Sequence, residues 1–410
     1  MLRRMLLGSF VAASLVVPAA VSPASAVPPV AGRGGGDGAL LQDLLEGEHA
    51  AGMPGVYAQV RDGRQVYNVA AGVADVDTGR PARPWLRHRV GSITKTFVAT
   101  TVLQLVGERR IRLDAPIGRY LPGVVPGTTG RQVTVRMLLN HTSGIGNYTD
   151  QVMGSADAII HASTHTFTKR QLARIGLAMP PTNAPGAQWS YSNTNYILLG
   201  LLIEKVTGHR YGTEVERRIL RPLKLRHTYL PGTDPTIRGP HAAAYVPGPD
   251  GTLYDFSVFN MSWASSAGEL VSTAADLNTF YRALLTGRLL SPPLLAEMQT
   301  TVPFYADMPG AGGYGLGLYW LATPCGPRWG HNGGVIGQTT ESYHSIDGRR
   351  QVSVGQTMTN FAPPGVDHPI YEAHNRFMTA AMCGTQPAVR AATAEVAVPP
   401  SLRADLTPAR

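Results

Sequence analysis

Lysine is scarce in this sequence of 410 residues: only four of its 36 basic side chains are lysines. An arginine stays protonated at any workable pH, whereas a lysine in a desolvated site can release its proton. The few lysines are therefore candidates for proton-transfer chemistry. Lys95 is the strongest of them, since it follows Ser92 by three residues. On a helix, that spacing places a hydroxyl and an amine on one face, as serine acyl-transfer chemistry requires.

Cysteine is equally rare, and the sequence contains only Cys325 and Cys383. Residues 1–26 combine a basic head, an apolar stretch and the small-residue sequence Ala24-Ser25-Ala26, which is typical of a secretory signal peptide. An uncleaved membrane anchor is the alternative, but glycine, serine and proline interrupt the apolar stretch. We therefore expect a secreted protein, extracellular or associated with the cell wall. An oxidising compartment favours a Cys325–Cys383 disulfide over two buried free thiols.

The sequence lacks the motifs of several function classes. No Gly-x-Ser-x-Gly segment occurs, which argues against an α/β-hydrolase. Neither a basic helix nor zinc-finger spacing accompanies the net charge of +9, so we expect no nucleic-acid partner. His161 and His165 have the i, i+4 spacing of metal ligands, but no glutamate follows His161 directly and no third ligand is evident. We predict neither a metal nor an organic cofactor.

The hydrophobic periodicity predicts strands near both ends of the chain and helices between them. Asp62-Gly63 and Asp347-Gly348 each separate two short strand-like runs, which is the pattern of a β-hairpin. Hairpin-linked strands form an antiparallel sheet, so the predicted fold class is α/β plus α, an antiparallel sheet flanked by helices. The predicted helices are 39–51, 94–108, 195–207, 274–285 and 367–383, and the predicted strands include 56–60, 65–71, 315–320, 337–345 and 352–358.

The predicted sheet is built from both ends of the chain, with a mostly helical domain inserted. The α/β domain comprises residues 39–112 and 261–384, and the helical domain comprises residues 113–260. Residues 27–38 are rich in proline and glycine and predict a flexible leader. Residues 385–410 are rich in alanine and proline with little periodicity, and they predict a disordered or removable tail.

Two further polar segments are candidates to share a cleft with Ser92 and Lys95. Tyr191 and Asn193 lie two residues apart in a Tyr-Ser-Asn turn that precedes a predicted helix. Residues 329–334, Trp-Gly-His-Asn-Gly-Gly, would let a substrate backbone approach a strand edge closely. Taken singly, each of these residues is more often structural, as a helix cap or a packed aromatic. Together they indicate catalysis, provided that they converge in one cleft.

Three motifs of this sequence resemble those of the serine β-lactamase and penicillin-binding superfamily. They are Ser-x-x-Lys from Ser92, Tyr-x-Asn from Tyr191 and His-x-Gly from His331. The sequence is most similar to the secreted class C-like D-alanyl-D-alanine carboxypeptidases. The resemblance extends over most of the mature chain and includes both cysteines. It implies the β-lactamase/DD-peptidase fold and a hydrolase that forms an acyl-enzyme.

The resemblance also implies roles for individual residues. Ser92 would be the nucleophile, while Lys95 and Tyr191 would share the general-base and general-acid work. Asn193 would orient both the substrate amide and Lys95. Trp263 would line the substrate cleft.

The glycine-rich strand contributes a second group of implied residues. His331 takes the place of a lysine that most members of the superfamily carry. Asn332 and Gly333 follow it at the strand edge. The backbone N–H groups of Ser92 and Gly334 would form the oxyanion hole.

The sequence departs from the carboxypeptidases at one position. Those enzymes bind the terminal carboxylate of the substrate with an arginine just after a Tyr-Gly-Leu-Gly-Leu strand, and here that position is Tyr319. Arg328, on a neighbouring strand, is a candidate replacement. Because this arginine is missing, substrates without a terminal carboxylate, such as esters, are favoured for the same catalytic residues.

The function that we predict is therefore a D-alanyl-D-alanine carboxypeptidase acting on peptidoglycan stem peptides and acylated by β-lactams. A β-lactamase-fold esterase or a D-aminopeptidase is the first alternative, and a non-catalytic cell-wall-binding relative is the second. We expect a monomer.

Overall fold

The computed structural model describes residues 37–359 and 367–384. The predicted signal peptide and C-terminal tail, and most of the predicted leader, lie outside these residues. The described helices are α1 (Asp37–Ala50), α2 (Thr94–Gly107), α3 (Gly127–Gln132), α4 (Val135–Leu139), α5 (Thr149–Val152), α6 (Ala156–Thr164), α7 (Lys169–Ala178), α8 (Asn193–Thr207), α9 (Tyr211–Val215), α10 (Arg221–Leu223), α11 (Ala274–Leu285), α12 (Pro292–Gln299) and α13 (Pro369–Cys383).

Short turns of other helix types link some of these elements. A π-helical turn, Glu216–Leu220, joins α9 to α10, and 3₁₀ turns occur at Gly91–Ile93, Met261–Trp263 and Ser265–Ala267. The strands are β1 (Gly55–Asp62), β2 (Gln65–Asp75), β3 (Arg80–Pro81), β4 (His88–Arg89), β5 (Tyr245–Pro247), β6 (Leu253–Asp255), β7 (Val271–Ser272), β8 (Val302–Pro303), β9 (Gly312–Tyr314), β10 (Tyr319–Leu321), β11 (Arg328–Val335), β12 (Gln338–His344) and β13 (Arg350–Gln356).

One nine-stranded antiparallel sheet organises the molecule. Its strand order is β3-β2-β1-β13-β12-β11-β10-β9-β8, so the first strand of the chain lies beside the last. Val56 of β1 is paired with Gln356 of β13. The predicted antiparallel sheet, built from both ends of the chain, is confirmed.

One predicted strand is wrong in its extent. Residues 315–320 were expected to form a continuous strand, but β9 ends at Tyr314 and β10 begins at Tyr319. Between them the backbone turns: the Gly315 N–H donates to the Leu318 carbonyl at 2.7 Å, and Gly317 has φ +73°. The glycines that look like ordinary strand residues in the sequence therefore make a tight connection between β9 and β10.

Two apolar clusters cover the sheet and fill the helical region. The smaller cluster packs α1 and α13 together against the central strands, and the larger one contains α2, α8 and α11. All seven residues of β13 are buried, because helices cover this strand on both faces. α2 and α8 carry the serine and tyrosine motifs into this large core, which fixes their relative positions.

The two cysteines form a disulfide that fastens the last helix. Cys325 lies in the loop between β10 and β11, and Cys383 is the final residue of α13. Their Cα atoms are 5.4 Å apart, within the ordinary range for a disulfide. The predicted pairing is confirmed.

Candidate active site

Ser92 lies in the 3₁₀ turn that leads into α2, with 4% of its surface exposed. Gly91 makes this position possible, since its φ is +53° and a Cβ there would lie 2.7 Å from the Gly334 nitrogen. The backbone around Ser92 is thus pressed against β11. A larger residue at position 91 would separate the serine from that strand.

Lys95 and Tyr191 converge on the Ser92 hydroxyl. Lys95 is completely buried, and its Nζ donates to Ser92 Oγ at 2.7 Å and to the Ala267 carbonyl at 2.8 Å. Tyr191 Oη donates to Ser92 Oγ at 2.8 Å, and the Lys95 Nζ lies 4.8 Å from the centre of the Tyr191 ring. Two proton-carrying groups therefore contact one hydroxyl in a site shielded from water. This is the geometry that an activated serine nucleophile needs.

The edge of β11 completes one side of the site. Its first residues, Arg328 to Gly330, are paired with β10 on one side, whereas pairing with β12 on the other side continues to Val335. Beyond Gly330, the edge next to the serine has no strand beside it among the described residues. An extended substrate could pair with this edge through main-chain hydrogen bonds.

A small pocket opens beside Ser92. Its lining residues are uncharged, and its volume is about 10 Å³, which is close to the space needed for one water molecule. The lining consists of Ser92, Tyr148, Asn193, Trp263, Ala264, Ala267, Gly268, Gly334 and Val335.

Comparisons with known proteins agree with this geometry. A family model described as Beta-lactamase matches residues 39–374. The chain belongs to the β-lactamase family. It is a serine hydrolase of the superfamily that includes the β-lactamases and the penicillin-binding proteins, and the predicted resemblance is confirmed.

The β-lactamase-family chain is similar to proteins with several activities. A solved D-stereospecific amidohydrolase from Streptomyces sp. is 42% identical with a TM-score of 0.76, over 85% of this chain and 99% of that one. The putative penicillin-binding protein PbpX of Bacillus subtilis (strain 168) is 28% identical over 79% of this chain and 76% of its own. Esterase EstB of Burkholderia gladioli is 31% identical over 48% of this chain, which spans about half of the esterase's length.

Asn193 and Trp263, both predicted to bind the substrate, belong to the lining of the pocket of this β-lactamase-family site. The Asn193 side chain donates to Thr149 Oγ1 at 3.3 Å. Trp263 is 4% exposed, and its indole N–H has no hydrogen-bond partner among the described residues. Tyr148, which the sequence analysis missed, donates from its hydroxyl to the Trp263 carbonyl at 2.6 Å and holds this segment in place.

The described lining of the β-lactamase-family pocket includes neither His331 nor Asn332. His331 is completely buried, and its Nε2 is 2.9 Å from the Tyr314 hydroxyl. Burial, reinforced by the nearby charge of Lys95, lowers the pKa of His331 to about 3. The Asn332 side chain accepts from the Tyr319 hydroxyl at 3.0 Å. His331 is therefore neutral, and it does not supply the positive charge that a lysine would bring to this position.

Two predicted substrate-binding residues are wrong. Tyr319 is completely buried, and its hydroxyl is hydrogen-bonded to Asn332 and Tyr343. Arg328 lies six residues before Gly334 on β11, which is about 20 Å along an extended strand. Its guanidinium donates to the main-chain carbonyls of Cys325 and Met382 near the disulfide. Neither residue can contact a substrate carboxylate beside Ser92.

The sequence analysis also underestimated His141, which holds the Tyr191 segment. Its Nδ1 is 3.2 Å from the Ser192 nitrogen, and its carbonyl accepts from the Ser190 N–H at 2.8 Å. Its ring centre lies 4.3 Å from that of Tyr191. Burial lowers the pKa of His141 far below its usual value, so the imidazole is neutral. Its φ of +61°, unusual for histidine, indicates that the surrounding packing fixes this turn.

Neither a metal cluster nor a membrane-spanning helix is found in the described part of the chain. The rings of His161 and His165 stack with their centres 4.6 Å apart. No group of three or more potential metal ligands occurs among the described residues. None of the described helices has both the length and the apolar character needed to cross a membrane.

Replacing Gly333 by alanine is expected to slow acylation of Ser92 by about 10²-fold, because small displacements of a reacting group have effects of this size. A Cβ at Gly333 would lie 2.1 Å from the Val90 carbonyl oxygen and 2.6 Å from the Ser92 nitrogen. The measurement is the rate at which a fluorescent penicillin labels the protein. Gly123→Ala is the matched control, since a Cβ there meets nothing within 4 Å. Labelling of Gly333→Ala at the wild-type rate would show that contact with β11 does not position the serine.

Proposed function

We propose that the chain is a serine amidohydrolase that prefers acyl groups of D configuration and hydrolyses them through an acyl-enzyme on Ser92. The observation that carries this proposal is the 42% identity to the Streptomyces D-stereospecific amidohydrolase over 99% of that chain. The convergence of Lys95 and Tyr191 on Ser92 Oγ supports the chemistry. The uncharged pocket supports a neutral scissile amide as the substrate.

In the proposed reaction, one member of the Lys95–Tyr191 pair is unprotonated before the attack. Ser92 Oγ attacks the amide carbonyl and passes its proton to that member. The oxyanion that forms accepts hydrogen bonds from the N–H groups of Ser92 and Gly334, whose backbones adjoin in the folded chain. The same pair returns a proton to the leaving amine when the C–N bond breaks. Water then attacks the ester on Ser92, and its proton restores the serine hydroxyl as the acid leaves.

A carboxypeptidase activity needs a cation for the terminal carboxylate of its substrate. No arginine or lysine belongs to the described lining of the pocket, and His331, three residues before Gly334 on β11, is neutral. Tyr319 is buried at the position where an arginine was expected. An ionised carboxylate brought into this pocket would lose hydration, which is costly, and the nearby Lys95 ammonium is already hydrogen-bonded to Ser92 Oγ and to the Ala267 carbonyl. We therefore place the D-alanyl-D-alanine carboxypeptidase second to the amidohydrolase.

An esterase of the same fold is a further candidate. The uncharged pocket suits an ester as well as an amide, and EstB is 31% identical over about half of each chain. An ester is also the easier bond to cleave, since its alcohol needs less protonation to depart than an amine does. The three candidates share Ser92 and differ in the leaving group.

The test compares two amides that differ only in configuration, and adds a peptide and an ester. We expect purified enzyme to hydrolyse D-phenylalanine amide at least ~10²-fold faster, in kcat/KM, than L-phenylalanine amide, a stereoselectivity of about 2.7 kcal/mol. Liquid chromatography of the released amino acid gives both rates. A diacetylated Lys-D-Ala-D-Ala peptide and p-nitrophenyl butyrate are the other two substrates, and the Ser92→Ala enzyme is the blank for all four.

The pattern of substrates that the enzyme hydrolyses distinguishes the three candidate functions. Preference for the D-amide supports the proposal. Release of D-alanine from the peptide without turnover of either amide would replace it with the carboxypeptidase. Turnover of the butyrate alone would replace it with the esterase, and no turnover of any substrate would reject a hydrolase of these classes.

A further inference from the structure

A second, much larger cavity lies away from Ser92, in the part of the chain that carries α7 to α10. Its volume is about 1020 Å³, at the upper end of the range for ligand-binding pockets. The cavity is bounded by the start of α7, by α8 and α9, and by the segment that follows α10. Its lining is strongly charged, unlike the pocket beside the serine.

Positive charge dominates this cavity. Its lining contains seven basic side chains and three acidic ones. Lys169 forms an ion pair with Glu204 at 3.0 Å, and Arg221 forms one with Glu216 at 2.9 Å. The basic residues are Lys169, Arg170, Arg210, Arg221, Lys224, Arg226 and Arg238, and the acidic residues are Glu204, Glu216 and Glu269.

Four of these cations form no salt bridge with any described residue: Arg170, Arg210, Lys224 and Arg226. All four are exposed, so each is available to a ligand. Like charges held around one cavity repel one another, and a bound anion relieves that repulsion. Two of the chain's four lysines belong to this lining, together with five arginines. The general preference of the chain for arginine over lysine therefore does not explain why so many basic residues line one cavity.

Glu269 offsets this charge only in part. Its carboxylate is 4% exposed and accepts hydrogen bonds from the Tyr211 hydroxyl and from the Gly232 N–H. Burial raises the pKa of Glu269 to about 7, against the lowering effect of the Gly232 N–H and the nearby cations Lys169 and Arg210. The carboxyl is therefore neutral for part of the time at neutral pH, and the cavity keeps its excess of positive charge.

Residues 262–267 form a wall shared by this cavity and the active-site pocket. Ser262 and Ser265 line the cavity, whereas Trp263, Ala264 and Ala267 line the pocket beside Ser92. The Ala267 carbonyl also accepts the 2.8 Å hydrogen bond from Lys95 Nζ. Ser265 has φ +39°, an unusual conformation for serine, so packing around this wall holds its backbone under strain. A ligand that moves the wall would alter the position of Lys95.

We propose that this cavity is a binding site for a ligand that carries two or more phosphate groups, and that its occupancy alters the rate of acylation at Ser92. A phosphate ester carries between one and two negative charges, so two or three groups are enough to neutralise four cations. Guanidinium and ammonium groups both bind phosphate oxygens through charge-assisted hydrogen bonds. The site lies apart from the serine, and it does not depend on which leaving group the enzyme accepts.

Isothermal titration calorimetry with sodium tripolyphosphate tests the site. We expect one ligand to bind per chain, and the double variant Arg210→Ala/Lys224→Ala to weaken binding by at least about tenfold, or 1.4 kcal/mol. The double variant Arg64→Ala/Arg83→Ala is the matched control. It removes the same charge from exposed positions on another part of the surface, and we expect it to bind as the wild type does. Citrate at the same concentration tests whether the site binds carboxylate groups as well as it binds phosphate groups.

Labelling by a fluorescent penicillin, with and without saturating tripolyphosphate, tests the link to Ser92. We expect the labelling rate of the wild type to change by about fivefold or more, and that of the Arg210→Ala/Lys224→Ala variant to stay constant. No binding to the wild type, equal binding to both double variants, or citrate binding as tightly as tripolyphosphate would overturn the assigned ligand. Binding without any change in labelling would overturn the link to acylation. The amidohydrolase proposal is unaffected by each of these results.

Discussion

Replacement of Ser92 by alanine is expected to abolish acylation and to lower kcat/KM for any accepted substrate by at least ~10⁴-fold, as loss of a nucleophile does in other serine hydrolases. The reason is geometric. Lys95 Nζ and Tyr191 Oη meet at Ser92 Oγ, at 2.7 and 2.8 Å, so removal of this one atom leaves both groups without a nucleophile to activate. Intact-protein mass spectrometry after incubation with a penicillin shows the missing adduct directly.

The matched control is Ser291→Ala. Ser291 is exposed, and as the residue before α12 it makes no side-chain capping hydrogen bond. We expect this variant to be acylated at the wild-type rate. Circular dichroism should show the same secondary structure for both variants, because each substitution removes a single side-chain oxygen and leaves the backbone unchanged. An adduct on the Ser92→Ala protein, at the wild-type rate, would place the nucleophile elsewhere.

Replacement of His374 by alanine is expected to lower the free energy of unfolding by about 3–5 kcal/mol at pH 7, the usual effect of removing one partner from a buried ion pair. His374, on α13, lies with its Nδ1 3.1 Å from Glu48 of α1 and its Nε2 3.5 Å from Glu341 of β12. Glu48 is completely buried, so the alanine variant leaves its carboxylate without its cation. Urea unfolding monitored by fluorescence measures the difference.

This cluster also makes stability depend on pH. Burial alone lowers the pKa of His374, but Glu48 and Glu341 outweigh burial and raise it to about 10. In the unfolded chain the pKa is about 6.5. The stabilisation that the charged imidazole provides is therefore complete below pH ~6.5 and is lost as the pH rises through about 10. Between pH 7 and 10, the wild type should lose stability more steeply than His374→Ala.

A histidine on the surface provides the control for both measurements. His161 is exposed, so His161→Ala should unfold within about 0.5 kcal/mol of the wild type and follow its pH dependence. Equal stability of His374→Ala and wild type at pH 7 would mean that the cluster is not an ion pair in the folded protein.

Local patterns were enough to predict much of the molecule. The helix at Ala274–Leu285 was predicted with its observed bounds, since apolar periodicity is a short-range signal. Ser92 and Lys95 could be found because four consecutive residues carry the whole motif. The first and last strands could be joined in one sheet because each belongs to a hairpin with an Asp-Gly turn.

The remainder depends on contacts between distant parts of the chain. Nothing local in the sequence indicates that the Ala267 carbonyl accepts a hydrogen bond from Lys95, 172 residues earlier. Tyr319 was expected beside the substrate because of its place after a strand motif. Burial of its side chain and hydrogen bonding of its hydroxyl to Asn332 and Tyr343 depend on how β10 to β12 pair. Strand pairing of this kind cannot be read from spacing alone.

The pairing of β1 with β13 has a consequence for how the chain is made. Val56 finds its partner, Gln356, only after three hundred further residues have been synthesised. Until then the N-terminal hairpin has an unsatisfied edge, which is a template for association between nascent chains. Closure of the sheet therefore has to follow the synthesis of β13, and a chain cut short before β13 would expose the middle of its sheet rather than lose a dispensable end.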